Sequence, residues 1–100
     1  MNNNDIQALN EEIMDLFHGL MQGSVDYRAD NLHCTMQANI CEAFNDAAED
    51  FVMSVMSGNE ITTDQLQMLH DNLLSFGEEF EVKEATILGN KVKDIIKQEK

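Results

Sequence analysis

No proline interrupts the 100 residues of this chain, and its apolar residues recur at steps of three and four positions. That spacing places apolar side chains along one face of an α-helix, whereas a half-buried strand requires alternation at every second position. Glycine is left as the main helix-ending residue. The pattern predicts an all-α fold, namely a small antiparallel bundle of three to four helices, with a long central helix, that forms one domain over residues 1–100.

The first predicted helix runs from Asn4 to Met21. Asn4 and Gln7 offer a capping pair at its start, and Gly23 stands just beyond its end. Its apolar face, with Phe17 beside it, consists of Ile6, Leu9, Ile13, Leu16 and Leu20.

The second predicted helix is the longest, beginning between Ser24 and Asp30 and ending at Ser57, before Gly58. A helix of 34 residues would be about 51 Å long, against a radius of gyration near 13 Å for a compact chain of this size. Either the helix breaks near Asp30, or the molecule is elongated and covers the extra apolar length by forming a homodimer, which we expect. Two seams form its wide apolar arc: Leu32, Met36, Ile40, Ala43, Ala47 and Phe51, and Cys34, Cys41, Ala48 and Val55.

The third predicted helix has the clearest start, because Thr62 and Gln65 form a capping box and Ile61 and Leu66 occupy the positions of a hydrophobic staple. A turn near Val82 then leads to a fourth helix that ends near Gln98, with a single bent helix as the alternative. Gly89 should weaken this last helix by up to about 1 kcal/mol. The predicted core positions are Leu66, Leu69, Leu73, Phe76 and Phe80, then Ala85, Leu88, Val92 and Ile95.

The formal net charge of −13 limits the possible partners. Residues 1–82 contain 16 acidic residues and one basic residue, whereas residues 83–100 contain three acidic residues and five lysines. Direct binding to nucleic acid or to an anionic membrane is therefore not expected. The sequence contains no apolar run of 18 residues, the length that would predict a membrane-spanning helix. Residues 1–5 lack the basic start of a secretory signal, so we expect a cytoplasmic protein.

We expect no enzyme activity, cofactor or metal site. Asp15 and His18 have the spacing of a di-iron motif, but Glu11, Asp15 and His18 should point away from the apolar seam. His33 is the one histidine retained as a ligand candidate, and an ordinary edge position is the favoured interpretation. Cys34 and Cys41, seven positions apart, would lie about 10.5 Å apart along one helix, too far for a disulfide. Packing is their favoured role.

Carboxylates are the strongest functional pattern. Glu42, Asp46 and Asp50 recur every four positions with Glu49 beside them, and no lysine or arginine lies within one turn. Like charges at this spacing cost about 0.2–0.5 kcal/mol per pair. The face is either a solubilising surface or a site for a basic partner, of which mimicry of nucleic acid is a special form. The candidate partner-binding residues are Glu11, Asp15, Glu42, Asp46, Glu49, Asp50, Asp71 and Glu78.

Residues 38–46 resemble part of the second helix of Rop, a small RNA-binding four-helix dimer encoded by plasmids. The basic RNA-facing surface of Rop has no counterpart in the acidic face of this chain. The resemblance therefore implies a shared helix composition and no shared activity.

These observations predict a non-catalytic protein-binding module. The favoured role is a small acidic cytosolic inhibitor that docks its carboxylate-rich face on a basic or nucleic-acid-handling protein, and its size and acidity are compatible with a phage or mobile-element origin. The alternative is an assembly chaperone or adaptor that holds a partner helix against the apolar flank formed by Val52, Met53 and Met56.

Overall fold

The computed structural model describes residues 3–25 and 36–98, which form four α-helices. Among these residues no strand is present, so the all-α prediction is confirmed. A second helix starting at Ser24 is wrong because Ser24 and Val25 are not helical, and a start at Asp30 lies outside the described residues. The helices are α1 (Asn3–Gln22), α2 (Met36–Met56), α3 (Thr63–Phe80) and α4 (Lys83–Gln98).

The four helices surround one core. Each helix contacts the next in the chain and α1 also contacts α4, whereas the described parts of α2 and α4 make no contact with each other. The radius of gyration is 13.4 Å and the longest dimension is 43 Å. A helix of about 51 Å does not fit this length. The homodimer was expected because a helix of that length would leave apolar surface uncovered. This reason no longer applies, and the homodimer stays a prediction.

The centre of the core is occupied by Phe44, which is 1% exposed and which neither predicted seam of the second helix included. Its ring packs edge-on against Phe76 at 5.2 Å and is stacked with Phe17 at 6.4 Å. Phe44 lies between the two predicted seams, so that Ala43 and Ala47 become half-buried flanks. The predicted cores of α1 and α3 are confirmed, except that Phe80 is half-buried. In α4 the predicted Ala85, Leu88 and Val92 are buried, but the last core position is Ile96 and not Ile95.

Left-handed residues end three of the helices. Gly23 and Gly58 have φ angles of 75° and 74°, and each closes its helix with a pair of backbone hydrogen bonds that satisfies the last carbonyls. Glu81, with φ 52°, ends α3, and its N–H and the Val82 N–H both donate to the Gly77 carbonyl oxygen before the chain enters α4. The alternative of a single bent helix is therefore wrong, and the predicted turn near Val82 is confirmed.

The capping box at the start of α3 is confirmed. The Thr62 hydroxyl accepts a hydrogen bond from the Gln65 N–H at 3.1 Å, and the Gln65 side chain accepts one from the Thr62 N–H at 2.9 Å. Ile61 and Leu66 of the predicted staple are both buried. The capping role predicted for Asn4 is wrong, because Asn4 lies inside the first turn of α1.

Close packing of α3 against α4 depends on two glycines. A Cβ atom on Gly77 would meet Thr86, and one on Gly89 would lie 2.8 Å from Leu74 Cδ2. Gly89 is buried, so its interpretation as a point of weakness in α4 is incomplete: its missing side chain makes room for α3. None of the described helices combines the length and apolar character needed to cross a membrane.

Candidate protein-binding surface

The outer side of α2 carries four exposed carboxylates, Glu42, Asp46, Glu49 and Asp50, which we call the α2 carboxylate face. Helical geometry explains their position, since at about 100° per residue they project away from the buried Ile40, Phe44, Ala48 and Phe51. Neither α2 nor α3 contains a lysine or arginine. The negative charge of this face is not compensated by either helix.

The basic residues of α4 lie on the far side of the bundle from α2. Lys83, Lys91, Lys93 and Lys97 all belong to α4, which packs on α1 and α3 but not on the described part of α2. Lys91 forms an ion pair with Glu12 of α1. The bundle is therefore polarised, with its acidic and basic helices diagonally opposed.

A cleft of about 320 Å³ runs between α2 and α3, and we call it the α2–α3 cleft. Its base includes the buried Phe51 and Leu69, and Met53 and Met68 line it although each is 59% exposed. Asp46 and Asp50 of the α2 carboxylate face also line it. The α2–α3 cleft thus combines an apolar base, two exposed methionines and two carboxylates.

Two side-chain hydrogen bonds hold α3 to α2 along this cleft. Gln65 Nε2 donates to Ser54 Oγ at 3.0 Å, and Asn72 Nδ2 donates to the Ala47 carbonyl oxygen at 3.4 Å. All four residues line the cleft. These two hydrogen bonds fix the spacing of α2 and α3 and therefore help to set the shape of the α2–α3 cleft.

A second groove, of about 200 Å³, lies between α1 and α2. It contains part of the apolar flank predicted for an adaptor: Val52 is half-buried in it, and Met53 borders both this groove and the α2–α3 cleft. Glu49 is the one acidic residue in its lining. Met56 is 71% exposed near the end of α2.

The other four predicted site residues are exposed but lie on other helices. Glu11 and Asp15 belong to α1, and Asp15 borders a groove towards α4 that also contains Glu84 and Ile87. Asp71 and Glu78 belong to α3. The eight carboxylates predicted as one site are therefore distributed over three helices, with only the α2 group forming a continuous stripe.

Asp71 takes part in a local hydrogen-bond group on α3. Its Oδ1 atom lies 3.0 Å from His70 Nδ1 and accepts a hydrogen bond from Gln67 Nε2 at 3.1 Å. The hydrogen bond with His70, then that from Gln67, holds the pKa of the Asp71 carboxyl below its usual range. Asp71 is thus engaged by its own helix.

The metal and thiol candidates are mostly untested, since His33 and Cys34 lie outside the described residues. His18 is exposed, as are Glu11 and Asp15, which confirms that these side chains do not meet in the core. Within residues 3–25 and 36–98, no three His, Cys, Asp or Glu side chains come together as a metal site would require. Cys41 is half-buried, and burial raises the pKa of its thiol.

Sequence reasoning missed Met68, Gln65 and Asn72 as parts of this surface. Met68 lies three residues before Asp71, on the polar side of the predicted α3 core, and nothing in the local sequence says which flank of α3 meets α2. Met53 could be recognised as a surface candidate from the sequence, because it falls outside the main apolar seam of α2.

Comparison with protein-family models, with curated proteins and with solved structures gives no match.

Proposed function

We propose that this protein is a non-catalytic binding module that docks the α2 carboxylate face on the basic surface of another protein and so acts as its inhibitor. The observation that carries the proposal is the stripe of Glu42, Asp46, Glu49 and Asp50, which no lysine or arginine of α2 or α3 compensates. Complementary charge across an interface raises the association rate and selects among partners. The proposal includes a cytoplasmic location.

The distribution of the carboxylates favours a local protein site over mimicry of nucleic acid. Duplex DNA presents one charge per about 1.7 Å of its axis. Neighbouring acids on a helix face are about 5–6 Å apart, so mimicry would need several helices to act together. Glu11, Asp15, Asp71 and Glu78 do not continue the stripe of α2 in one groove, which supports docking through α2.

Two variants of equal charge test this proposal. One neutralises the face with Glu42→Gln, Asp46→Asn, Glu49→Gln and Asp50→Asn, and its control carries Glu11→Gln, Asp15→Asn, Asp71→Asn and Glu78→Gln. Each replaces four of the 19 acidic residues and changes the net charge from −13 to −9. We expect the control and the unmodified protein to capture the same basic protein from a lysate of the source organism, and the α2 variant to lose it.

Salt gives a second readout. Capture by the α2 carboxylate face should weaken strongly between about 50 mM and about 500 mM NaCl, because exposed charges are screened. Equal loss of capture in both variants would show a response to net charge alone. Undiminished capture by the α2 variant would contradict the proposal.

A second candidate function, an adaptor that holds the apolar face of a partner helix, is favoured by the groove between α1 and α2. Phe17 and Val52 line this groove with only one acidic neighbour, Glu49. Binding there should be nearly independent of salt and should be lost in Val52→Glu. The two candidate functions are thus separated by the same salt series.

A further inference from the structure

We infer that the partner segment recognised by the α2 carboxylate face is a cationic amphipathic helix, which lies along the α2–α3 cleft. This inference rests on the proposed function and adds the chemistry of the partner. The cleft combines the two features that such a helix would complement, an apolar base and a rim with two carboxylates and no lysine or arginine among its lining residues. The same pairing of apolar face and groove underlies helix-in-groove recognition.

The apolar part of the site is formed by Met53 and Met68, one from each helix. Each side chain is 59% exposed although it lies beside the buried Phe51 or Leu69. Methionine is flexible and polarisable, so it adapts to the side chains of a docking helix. An apolar ridge from a partner helix would pack between α2 and α3 and cover both methionines.

The charged part is formed by Asp46 and Asp50, which are one helical turn apart, or about 6 Å along α2. Lysines or arginines one turn apart on a partner helix match this separation. From Asp46 to Ser54 the α2 edge of the cleft extends about 12 Å, the length of two helical turns. Two turns present apolar residues at positions i, i+3, i+4 and i+7 beside their basic neighbours.

The other two grooves described above complement such a helix less well. The groove between α1 and α2 is apolar but contains a single carboxylate, Glu49. The groove between α1 and α4 contains Ile87, 53% exposed, beside Asp15 and Glu84. Its third carboxylate, Glu12, is paired with Lys91, however, and α4 carries three further lysines, whereas α2 and α3 carry none. Charge complementarity therefore selects the α2–α3 cleft, and the α1–α4 groove provides a matched control.

Fluorescence anisotropy with two labelled peptides tests the inference. One is a peptide of about 18 residues that forms a helix with leucines on one face and lysines on the other. The other has the same composition in a scrambled order. We expect the amphipathic peptide to bind at least about tenfold more tightly. The double variant Met53→Gln, Met68→Gln and the double variant Asp46→Asn, Asp50→Asn should each raise its Kd about tenfold.

The control variant Ile87→Gln should change the Kd less than about twofold, since an exposed residue outside the interface is nearly neutral. An equal effect of Ile87→Gln would overturn the assignment to the α2–α3 cleft. Circular dichroism melting of every variant shows whether a change in Kd reflects lost folding. Because the substituted side chains are exposed, we expect unchanged helix content.

The outcomes separate this inference from the proposed function. If both peptides bind equally, and Asp46→Asn, Asp50→Asn weakens both, the carboxylate proposal stands and the cleft inference is wrong. If neither peptide binds at low salt, the cleft inference is overturned, whereas the proposed function is decided by the capture experiment with the α2 variant. A dimer in sedimentation velocity that Met53→Gln, Met68→Gln dissociates would show a second copy of this chain in the cleft and would also overturn the inference.

Discussion

Gly77 lies so close to Thr86 that a Cβ atom on Gly77 would be 2.5 Å from the Thr86 hydroxyl oxygen and 3.1 Å from the Thr86 backbone nitrogen. We expect Gly77→Ala to lower the free energy of unfolding by about 1–3 kcal/mol, the usual cost of overpacking. In an exposed helix the same substitution would stabilise by up to about 1 kcal/mol. Urea unfolding followed by circular dichroism measures the sign of the change.

Two variants test this explanation. Gly89→Ala should cost less, because the atom it would meet, Leu74 Cδ2 at 2.8 Å, is the end of a flexible side chain. Thr86→Ala should recover part of the loss in Gly77→Ala, and a double-mutant cycle isolates that coupling. Greater stability of Gly77→Ala than of the unmodified protein would show that α3 and α4 are not packed this closely.

Phe44 should be the most costly aromatic residue to truncate. It is 1% exposed and its ring contacts both Phe17 and Phe76, so Phe44→Ala should destabilise the fold by about 3–5 kcal/mol. Phe80→Ala is the matched control, and a smaller loss is expected because Phe80 is half-buried. Similar losses in the two variants would argue against Phe44 as the centre of the core.

Much of the fold could be predicted from helical periodicity, because burial of an amphipathic face requires that spacing. The five core positions of α1 follow from this periodicity, whereas the capping box at Thr62 follows from the Thr-x-x-Gln motif. Phe44 was missed because α2 is apolar over a wide arc, and periodicity alone does not give the centre of such an arc. Gly77 was missed because a close approach of two helices leaves no mark in the sequence except the glycine.

The candidate site could be predicted only in part. The α2 carboxylate face follows from spacing within one helix, and the four acids are indeed exposed together. The grouping of Asp71 and Glu78 with them required knowledge of how α3 is rotated against α2. The same missing rotation explains why Met68 was not identified, since its place in the α2–α3 cleft depends on packing between two helices.

The Asp71 carboxyl should titrate below the usual Asp value of about 3.9. The hydrogen bond with His70 lowers its pKa most, followed by that from Gln67. NMR titration of the carboxyl carbon should therefore show the pKa rising in His70→Ala and, by less, in Gln67→Ala. An unchanged titration in both variants would contradict this assignment.

The sign for stability follows from the same shift. Since the folded-state pKa of Asp71 is lowered, its contribution is present above the unfolded pKa and is lost as the pH falls through the folded one. The stability difference between the unmodified protein and Asp71→Asn should be constant near neutral pH. It should shrink below about pH 4.

Asp46 should be a site where stability and binding conflict. It lies one turn from Glu42, Glu49 and Asp50, so Asp46→Asn removes three repulsive pairs and should stabilise the fold by about 0.6–1.5 kcal/mol at low salt. Asparagine and aspartate have similar helix propensities, which leaves charge as the main difference. The gain should nearly vanish at 1 M NaCl, where the screening length is about 3 Å.

Asp64→Asn removes the same unit of charge and provides the control for this last prediction. Asp64 lies in the first turn of α3, where a negative charge favours the helix, so its neutralisation should destabilise by about 0.3–1 kcal/mol. Opposite signs for the two variants would show that Asp46 is present despite a cost in stability, which a role in binding would explain. A loss of stability in Asp46→Asn at low salt would instead show that this carboxylate supports the fold, and would remove one argument for a partner at the α2 carboxylate face.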